Sequence, residues 1–241
     1  MRANPILRGD LRARLGGGKA LAGYTLFLSL LAVLAILSLP PELGRMQEVR
    51  QQGLLQVFLI IQALFIIYLT SATASGEIAV EGEKPAWDLA ASPFSTGTIA
   101  RGKLATSAAF AALLVLLGLP LTAAVAGIRG QALAPVAGAS IVIVAAGTAL
   151  GTLGALYAAV FESDFARTVV HWFTLLIVVL VVAMAPSPWR FVSPVHAIPA
   201  AMSSDFTGVL LALAAYGALA AAGAAGLAAR IGAIRREAVA A

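Results

Sequence analysis

Two patterns in the sequence have residue types that could bind phosphate or a metal ion, and both are incomplete. Residues 97–103 (GTIARGK) have the glycine and lysine spacing of a phosphate-binding loop, but Leu104 follows where magnesium would need Ser or Thr. His171 and His196 are well separated and have no carboxylate motif beside them, which predicts no metal site. The chain has no Cys, no HExxH and no GxSxG motif. We therefore predict a protein that is not an enzyme, with no cofactor or metal bound to this chain.

The charged side chains inside the chain are concentrated in one charged segment, residues 76–103, between two apolar runs. Pro85 and the acidic residues near it are typical of a helix start, and Pro93 predicts the end of that short helix. A second helical turn is predicted to start at Ser95 and to lead into the next apolar run. The predicted helix has Trp87 and Leu89 on one side and carboxylates on the other. This arrangement, lying across a membrane surface, favours docking of a soluble partner.

The composition indicates the setting of the charged segment. Of the 241 residues, 61% are hydrophobic and only 11% are charged, whereas a soluble domain has about 25% charged residues. Such a chain cannot cover itself with polar surface, so we predict a multi-pass membrane protein. The net charge of +5 is typical of basic flanks beside membrane spans, and no nucleic-acid partner is predicted.

Six apolar runs have the length of about 20 residues that crosses the hydrocarbon core of a bilayer. The chain is therefore predicted to be all-α, with six transmembrane helices in a single transmembrane domain over residues 1–241. The first run is too long for a signal-peptide core and is predicted to be retained. The predicted spans are Ala20–Leu39, Leu54–Ala74, Leu104–Ile128, Ala132–Phe161, Thr168–Ala185 and Phe206–Ile231.

The distribution of Lys and Arg orients these spans. With the N-terminus in the cytoplasm, only four of the 16 basic residues lie outside: Arg45, Arg50, Arg129 and Arg190. Both termini are then cytoplasmic, in a cell membrane that we expect to be a prokaryotic inner or plasma membrane. The charged segment lies on the cytoplasmic side. The Pro-rich outer loop, residues 186–204, is predicted to lie at the opposite interface with aromatic anchors.

Residues 1–19 predict either a short amphipathic helix in the membrane interface or a basic flank that only sets orientation. Asn4-Pro5 is typical of a helix start, and leucines recur at every fourth position from Leu7. The glycines at 16–18 predict the end of this helix and a turn into the membrane.

The charged segment resembles the coupling segment of the type-2 ABC transporter permeases. Two carboxylates, then Asp-Leu, Pro, Ser, Ile and a Gly-Lys pair that opens a span, follow the order found in that family. The matching residues are Glu81, Glu83, Asp88, Leu89, Pro93, Ser95, Ile99, Gly102 and Lys103, with the aromatic Trp87 before Asp88. The start of the chain and the six-span plan are also similar. Gly82 and Ala90-Ala91 depart from the pattern, where the family has a basic residue and bulky leucines.

This resemblance implies a function. In that family the permease hydrolyses no ATP; a separate ATPase subunit, which binds ATP and Mg²⁺, docks on the coupling segment and rocks the spans as it closes. The chain is thus expected to be a permease subunit of an ABC exporter, paired with a second permease that is identical or a paralogue. The alternative is a membrane anchor or assembly subunit that docks a soluble partner and moves no substrate. The resemblance also implies short re-entrant or gate helices within residues 186–204.

Small residues along the fourth predicted span predict close helix packing. Gly147, Gly151 and Gly154 lie on one side of it, and the first two have GxxxG spacing. The contact is either within one subunit or between two permeases. The middles of the spans have almost no charge, which disfavours ion-coupled carriers and suits an apolar or amphipathic cargo.

Polar residues beside the fifth predicted span have two interpretations each. His171, next to Trp172, is either a functional polar group in a span or part of an interface anchor. Glu162 and Asp164, in the turn before the span, either contact a partner or are solvated.

Overall fold

The computed structural model describes residues 5–16, 18–37, 52–77, 90–128 and 130–240, and the regular secondary structure of these ranges is entirely helical. We number the α-helices in chain order. They are α1 Pro5–Gly16, α2 Gly18–Leu37, α3 Gln52–Glu77, α4 Thr96–Ile128, α5 Leu133–Val160, α6 Asp164–Leu176, α7 Pro194–Met202 and α8 Phe206–Ala240. The prediction of an all-α fold is confirmed for these ranges.

Within the described residues, five helical segments are long and apolar enough to cross a membrane, as in a multi-pass membrane protein. They are Gly53–Gly76, Thr96–Ile128, Leu133–Val160, Asp164–Met184 and Phe206–Ala238. The first predicted span corresponds to α2, whose residues Leu21–Leu37 form a shorter apolar helix. The 20 residues of α2 make a helix about 30 Å long, which is close to the hydrocarbon thickness. Six spans therefore remain our prediction.

Helix α5 is the centre of the bundle and contacts α3, α4, α7 and α8. Its sequence explains this place, because many of its buried residues are Ala or Gly and let neighbouring helices approach closely. Large side chains of the neighbours, such as Phe110 of α4 and Tyr216 of α8, are fully buried in the core. Lipid tails are as apolar as these side chains, so close packing and hydrogen bonds must hold the helices together.

The span that begins as α6 changes its helical form before it ends. A π-helical turn, Ile177–Val181, follows α6, and a 3₁₀ turn, Val182–Met184, ends the span. A further 3₁₀ turn, Trp189–Val192, and helix α7 then lie where the residues alone predicted an interfacial loop. Ser193 starts α7, since its side chain accepts a hydrogen bond from Val195 N and a proline follows it.

Two polar side chains attach α7 and the residue before it to the irregular end of the span. Ser193 Oγ donates a hydrogen bond to the Val179 carbonyl oxygen at 2.8 Å. His196 Nε2 lies 3.1 Å from the Ala183 carbonyl oxygen. Carbonyl groups at an irregular helix end lack regular helical partners. Ser193 and His196 each lie at hydrogen-bond distance from one of these carbonyl groups.

Ser193→Ala should lower the free energy of unfolding by about 1–2 kcal/mol, because it removes both the cap of α7 and the bond to the Val179 carbonyl. Ser29, an exposed serine of α2, provides the control: Ser29→Ala should change this free energy by less than about 0.5 kcal/mol. Both variants can be compared by unfolding in micelles of mild detergent and SDS. Equal stability of the two would show that Ser193 does not hold this segment.

Candidate functional site

The structure describes the second part of the charged segment, residues 90–103, and this part is the candidate functional site. It contains four of the predicted docking residues: Pro93, Ser95, Gly102 and Lys103. The remaining predicted docking residues lie outside the described residues; they are Glu81, Glu83, Trp87, Asp88 and Leu89.

A bend separates two helical pieces within this part of the segment. Residues 90–91 are helical, residues 92–94 form the bend, and α4 follows. Ser95 caps α4: its Oγ accepts a hydrogen bond from Thr98 N at 3.2 Å, and Ser is a favoured residue at this position. Pro93 has no N–H and cannot continue the preceding helix. The second helical turn predicted from the sequence is thus the first turn of α4.

Arg235 of α8 holds the bend through its backbone carbonyls. Its Nε donates to the Ala90 carbonyl oxygen at 2.8 Å. Its Nη2 donates to the carbonyl oxygens of Ser92 at 2.9 Å and Phe94 at 2.6 Å. Carbonyls at a helix end lack partners within the helix, and a guanidinium offers several donors in one plane. One side chain of the last helix therefore satisfies three acceptors in and beside the bend.

An apolar cluster packs the bend against the ends of several helices. Ala90, on one side of the bend, and Ile99 of α4 are buried in it. The other buried members are Ala74 of α3, Ala155, Ala158 and Ala159 of α5, and Leu227, Ile231 and Ile234 of α8. Phe94 and, from α1, Ile6 pack against the cluster. The charged segment thus shares an apolar cluster with α1, α5 and α8, in addition to α3 and α4, the two spans that it joins.

An ion pair joins α1 to the start of α4. Lys103 Nζ lies 2.7 Å from Asp10 Oδ2, and Lys103 is only 5% exposed. Gly102 is buried beside it. A buried charge is costly unless it is paired, so this contact fixes α1 against α4. The side chain of Lys103, one of the predicted docking residues, therefore faces α1 and not the solvent.

The surface left open by these contacts lies at the bend. Ala91, Pro93 and Ser95 are exposed, as is Arg101 one turn into α4. The segment therefore has one face buried against the helices and another face exposed. A soluble partner that bound the exposed face would act directly on the helix ends beneath it.

No family model matches this chain, and no curated protein matches it. The geometry of residues 90–103 and of the helices around them is therefore the basis for a functional proposal.

The three glycines of α5 face neighbouring helices of the same chain. A Cβ added at Gly151 would lie 2.9 Å from Ser107 Oγ of α4. One added at Gly154 would lie 2.6 Å from the Ser71 carbonyl oxygen of α3, and Gly147 is similarly close to both helices. These positions lie where α3 and α4 approach α5, so the geometry is that of packing within one subunit.

The structure also describes the surroundings of the other polar candidates. Residues 97–103 lie inside α4, so no loop is present there to surround a phosphate. His171 is buried, with its Nδ1 3.2 Å from Ser71 Oγ, whereas the neighbouring Trp172 is 55% exposed. Both rings contact Tyr68 of α3. Asp164 forms an ion pair with Arg167 in the first turn of α6. Within the described ranges, no cluster of three or more His, Asp or Glu side chains could hold a metal ion.

Two residues of the site were not among the predicted docking residues. In the sequence, Arg235 is one of the basic residues that orient the spans, and Asp10 is a polar residue of the predicted N-terminal helix. The single carboxylate among the arginines of residues 8–14 was a usable signal, because it breaks an otherwise basic helix. No local pattern relates Arg235 to a bend about 140 residues earlier, and only the fold brings the two together.

Proposed function

We propose that this chain is a permease subunit of an ATP-driven ABC transporter, an exporter, and that an ATPase subunit docks on the charged segment. The observation that carries this proposal is how residues 90–103 pack against the helices. Arg235, the apolar cluster and the Asp10–Lys103 pair hold them on one side, while part of the bend stays exposed on the other. The resemblance of the segment to a coupling segment supplies the class of partner. ATP and Mg²⁺ would be bound by that partner, and this chain contributes no catalytic residue.

These contacts of residues 90–103 support a mechanism for coupling. A force on the exposed bend reaches α4 through the backbone, α8 through Arg235 and α1 through Lys103. Packed helices move as units and do not deform continuously. An ATPase that changes shape around ATP would therefore shift these helices together between two arrangements. Such a shift requires the ATPase to contact the segment differently in the two states.

An apolar groove between α3 and α6 supports an apolar or amphipathic cargo. Its volume is about 720 Å³, and its lining is aliphatic and aromatic, with Phe65 and Tyr68 from α3 and Trp172 and Phe173 from α6. We propose that it forms part of the substrate path. The remainder of the path would come from a second permease subunit, identical or paralogous, in the same membrane.

The proposed orientation places both termini and the charged segment in the cytoplasm. Its support is the concentration of Lys and Arg in the segments that this orientation makes cytoplasmic. The proposed orientation requires α1, the bend and the end of α8 to be on one side of the membrane, and these elements meet at one end of the bundle.

Asp88→Lys tests the docking role of the charged segment. It replaces a carboxylate of the family pattern with a cation. A basic group of the ATPase that faces this carboxylate would then meet a like charge, which opposes binding. We expect at least about tenfold less ATPase subunit to co-purify, which corresponds to about 1.4 kcal/mol of binding free energy. The measurement is quantitative mass spectrometry of complexes from mildly solubilised native membranes.

Glu237→Lys is the matched control, since Glu237 is an exposed carboxylate on the final turns of α8, outside the charged segment. It should leave capture of the ATPase unchanged. Full capture and full ATPase stimulation by the Asp88→Lys variant would disprove the docking role. Capture by the unaltered chain without any stimulation of ATP hydrolysis would favour the anchor or assembly subunit instead.

A further inference from the structure

Arg235 does more than pack α8 against the charged segment, because its hydrogen bonds fix the path of the backbone. Carbonyls at the end of a helix lack N–H partners within the helix, and Pro93 has no N–H to offer them. Arg235 supplies donors to the carbonyls of Ala90, Ser92 and Phe94. Without Arg235 the bend would lose three hydrogen bonds to α8 and would have other conformations open to it.

We propose that Arg235 is a positioning residue for coupling: it sets the conformation of the bend and makes α8 a direct second route, beside α4, from the bound ATPase to the spans. This inference rests on the proposed function. Helix α4 follows the bend in sequence and moves with it through the covalent chain. Helix α8 begins more than 100 residues later, and its link to the bend depends on non-covalent contacts.

Two sets of contacts make that link, and both lie on the same stretch of α8. Ile231 and Ile234 are fully or almost fully buried in the apolar cluster with Ala90 and Ile99. Arg235 follows Ile234 directly and reaches across to the carbonyls. Apolar burial is non-directional, whereas hydrogen bonds to three acceptors also require particular distances and angles. Arg235 thus fixes the position of α8 relative to the bend.

The chemistry of the side chain provides a graded test. A guanidinium holds several donors in a rigid plane, so Nε and Nη2 serve three acceptors together. The ammonium group of Lys is a single point of charge on a flexible stem. Arg235→Lys should therefore restore part of what Arg235→Ala loses. Arg236, the exposed next residue of α8, provides the matched control as Arg236→Ala.

The first readout needs no partner: it is hydrogen exchange, in the purified chain, of the backbone amides of Thr98 and Ile99, which donate to the Ser95 carbonyl oxygen beside the bend. Arg235→Ala should raise exchange there at least about tenfold, since each bond to a charged donor is strong enough to change a local opening equilibrium by that factor. Arg235→Lys should give an intermediate rate, and Arg236→Ala the rate of the unaltered chain. Unchanged exchange in Arg235→Ala would overturn the positioning role.

The second readout uses the ATPase subunit that co-purifies with the unaltered chain. Arg235→Ala should reduce the maximal stimulated rate of ATP hydrolysis about tenfold or more, while the ATPase concentration for half-maximal stimulation stays within about twofold. A purely structural role would instead lower the amount of folded protein or weaken binding. An unchanged maximal rate would overturn the second route through α8. If no ATPase co-purifies with the unaltered chain, the proposed function fails, and the exchange measurement still decides whether Arg235 fixes the bend.

Discussion

Gly154→Ala should lower the free energy of unfolding by about 3 kcal/mol, although it adds only one methyl group. The new Cβ would lie 2.6 Å from the Ser71 carbonyl oxygen, which belongs to the backbone of α3 and cannot rotate away. Helix α3 would have to move away from α5, and the nearby contact between Ser71 Oγ and His171 would be strained with it. The measurement is unfolding in mixed detergent and SDS micelles.

Gly217→Ala is the control for this prediction, because a Cβ at Gly217 of α8 meets no atom within 4 Å. Alanine is the better helix former, so this variant should be as stable as the unaltered chain or more stable by up to about 1 kcal/mol. If Gly154→Ala matched Gly217→Ala in stability, α3 and α5 would not approach each other as closely as described here.

The second large effect concerns the ion pair between α1 and α4. Lys103→Met should lower the free energy of unfolding by about 3 kcal/mol, because removing one partner of a buried pair leaves the other charge uncompensated. Asp10, the remaining partner, has a side chain that is 18% exposed. The change should also release α1 from the charged segment, which proteolysis near residues 16–18 would detect.

A double-mutant cycle separates the pair from other effects of each residue. Asp10→Asn with Lys103→Met should cost less than the sum of the two single changes, by about 1–3 kcal/mol. Arg101→Met changes an exposed cation on the same helix and should alter stability by less than about 0.5 kcal/mol. Additive losses from Asp10→Asn and Lys103→Met would mean that the two side chains do not interact.

The spans were predictable because length and hydropathy decide them locally. The predicted starts and ends of the second to fourth spans fall within or close to α3, α4 and α5, and Ser95 was identified as the start of a helical turn. The outer Pro-rich stretch was harder. Its α7 has nine residues and an internal proline, so its helical pattern is too short to stand out, although Ser193-Pro194 is a helix start signal.

The site was predictable only in part, because its contacts join distant parts of the chain. The exposed Pro93 and Ser95 could be assigned from the order of residues in the charged segment. Lys103 was assigned to the same surface, but its burial depends on Asp10 of α1 and could not be foreseen. Arg235 carries the same charge as every other basic residue in the sequence, and only its distance from three carbonyl oxygens distinguishes it.

The central claim is that the charged segment binds an ATPase subunit. The most direct test is to purify the tagged chain from its native membrane in mild detergent and to quantify every protein that accompanies it. Our account predicts an ABC ATPase subunit at about one copy per permease, together with a second permease if the transporter is a heterodimer. Recovery of the intact chain with no ATPase at all would contradict the account.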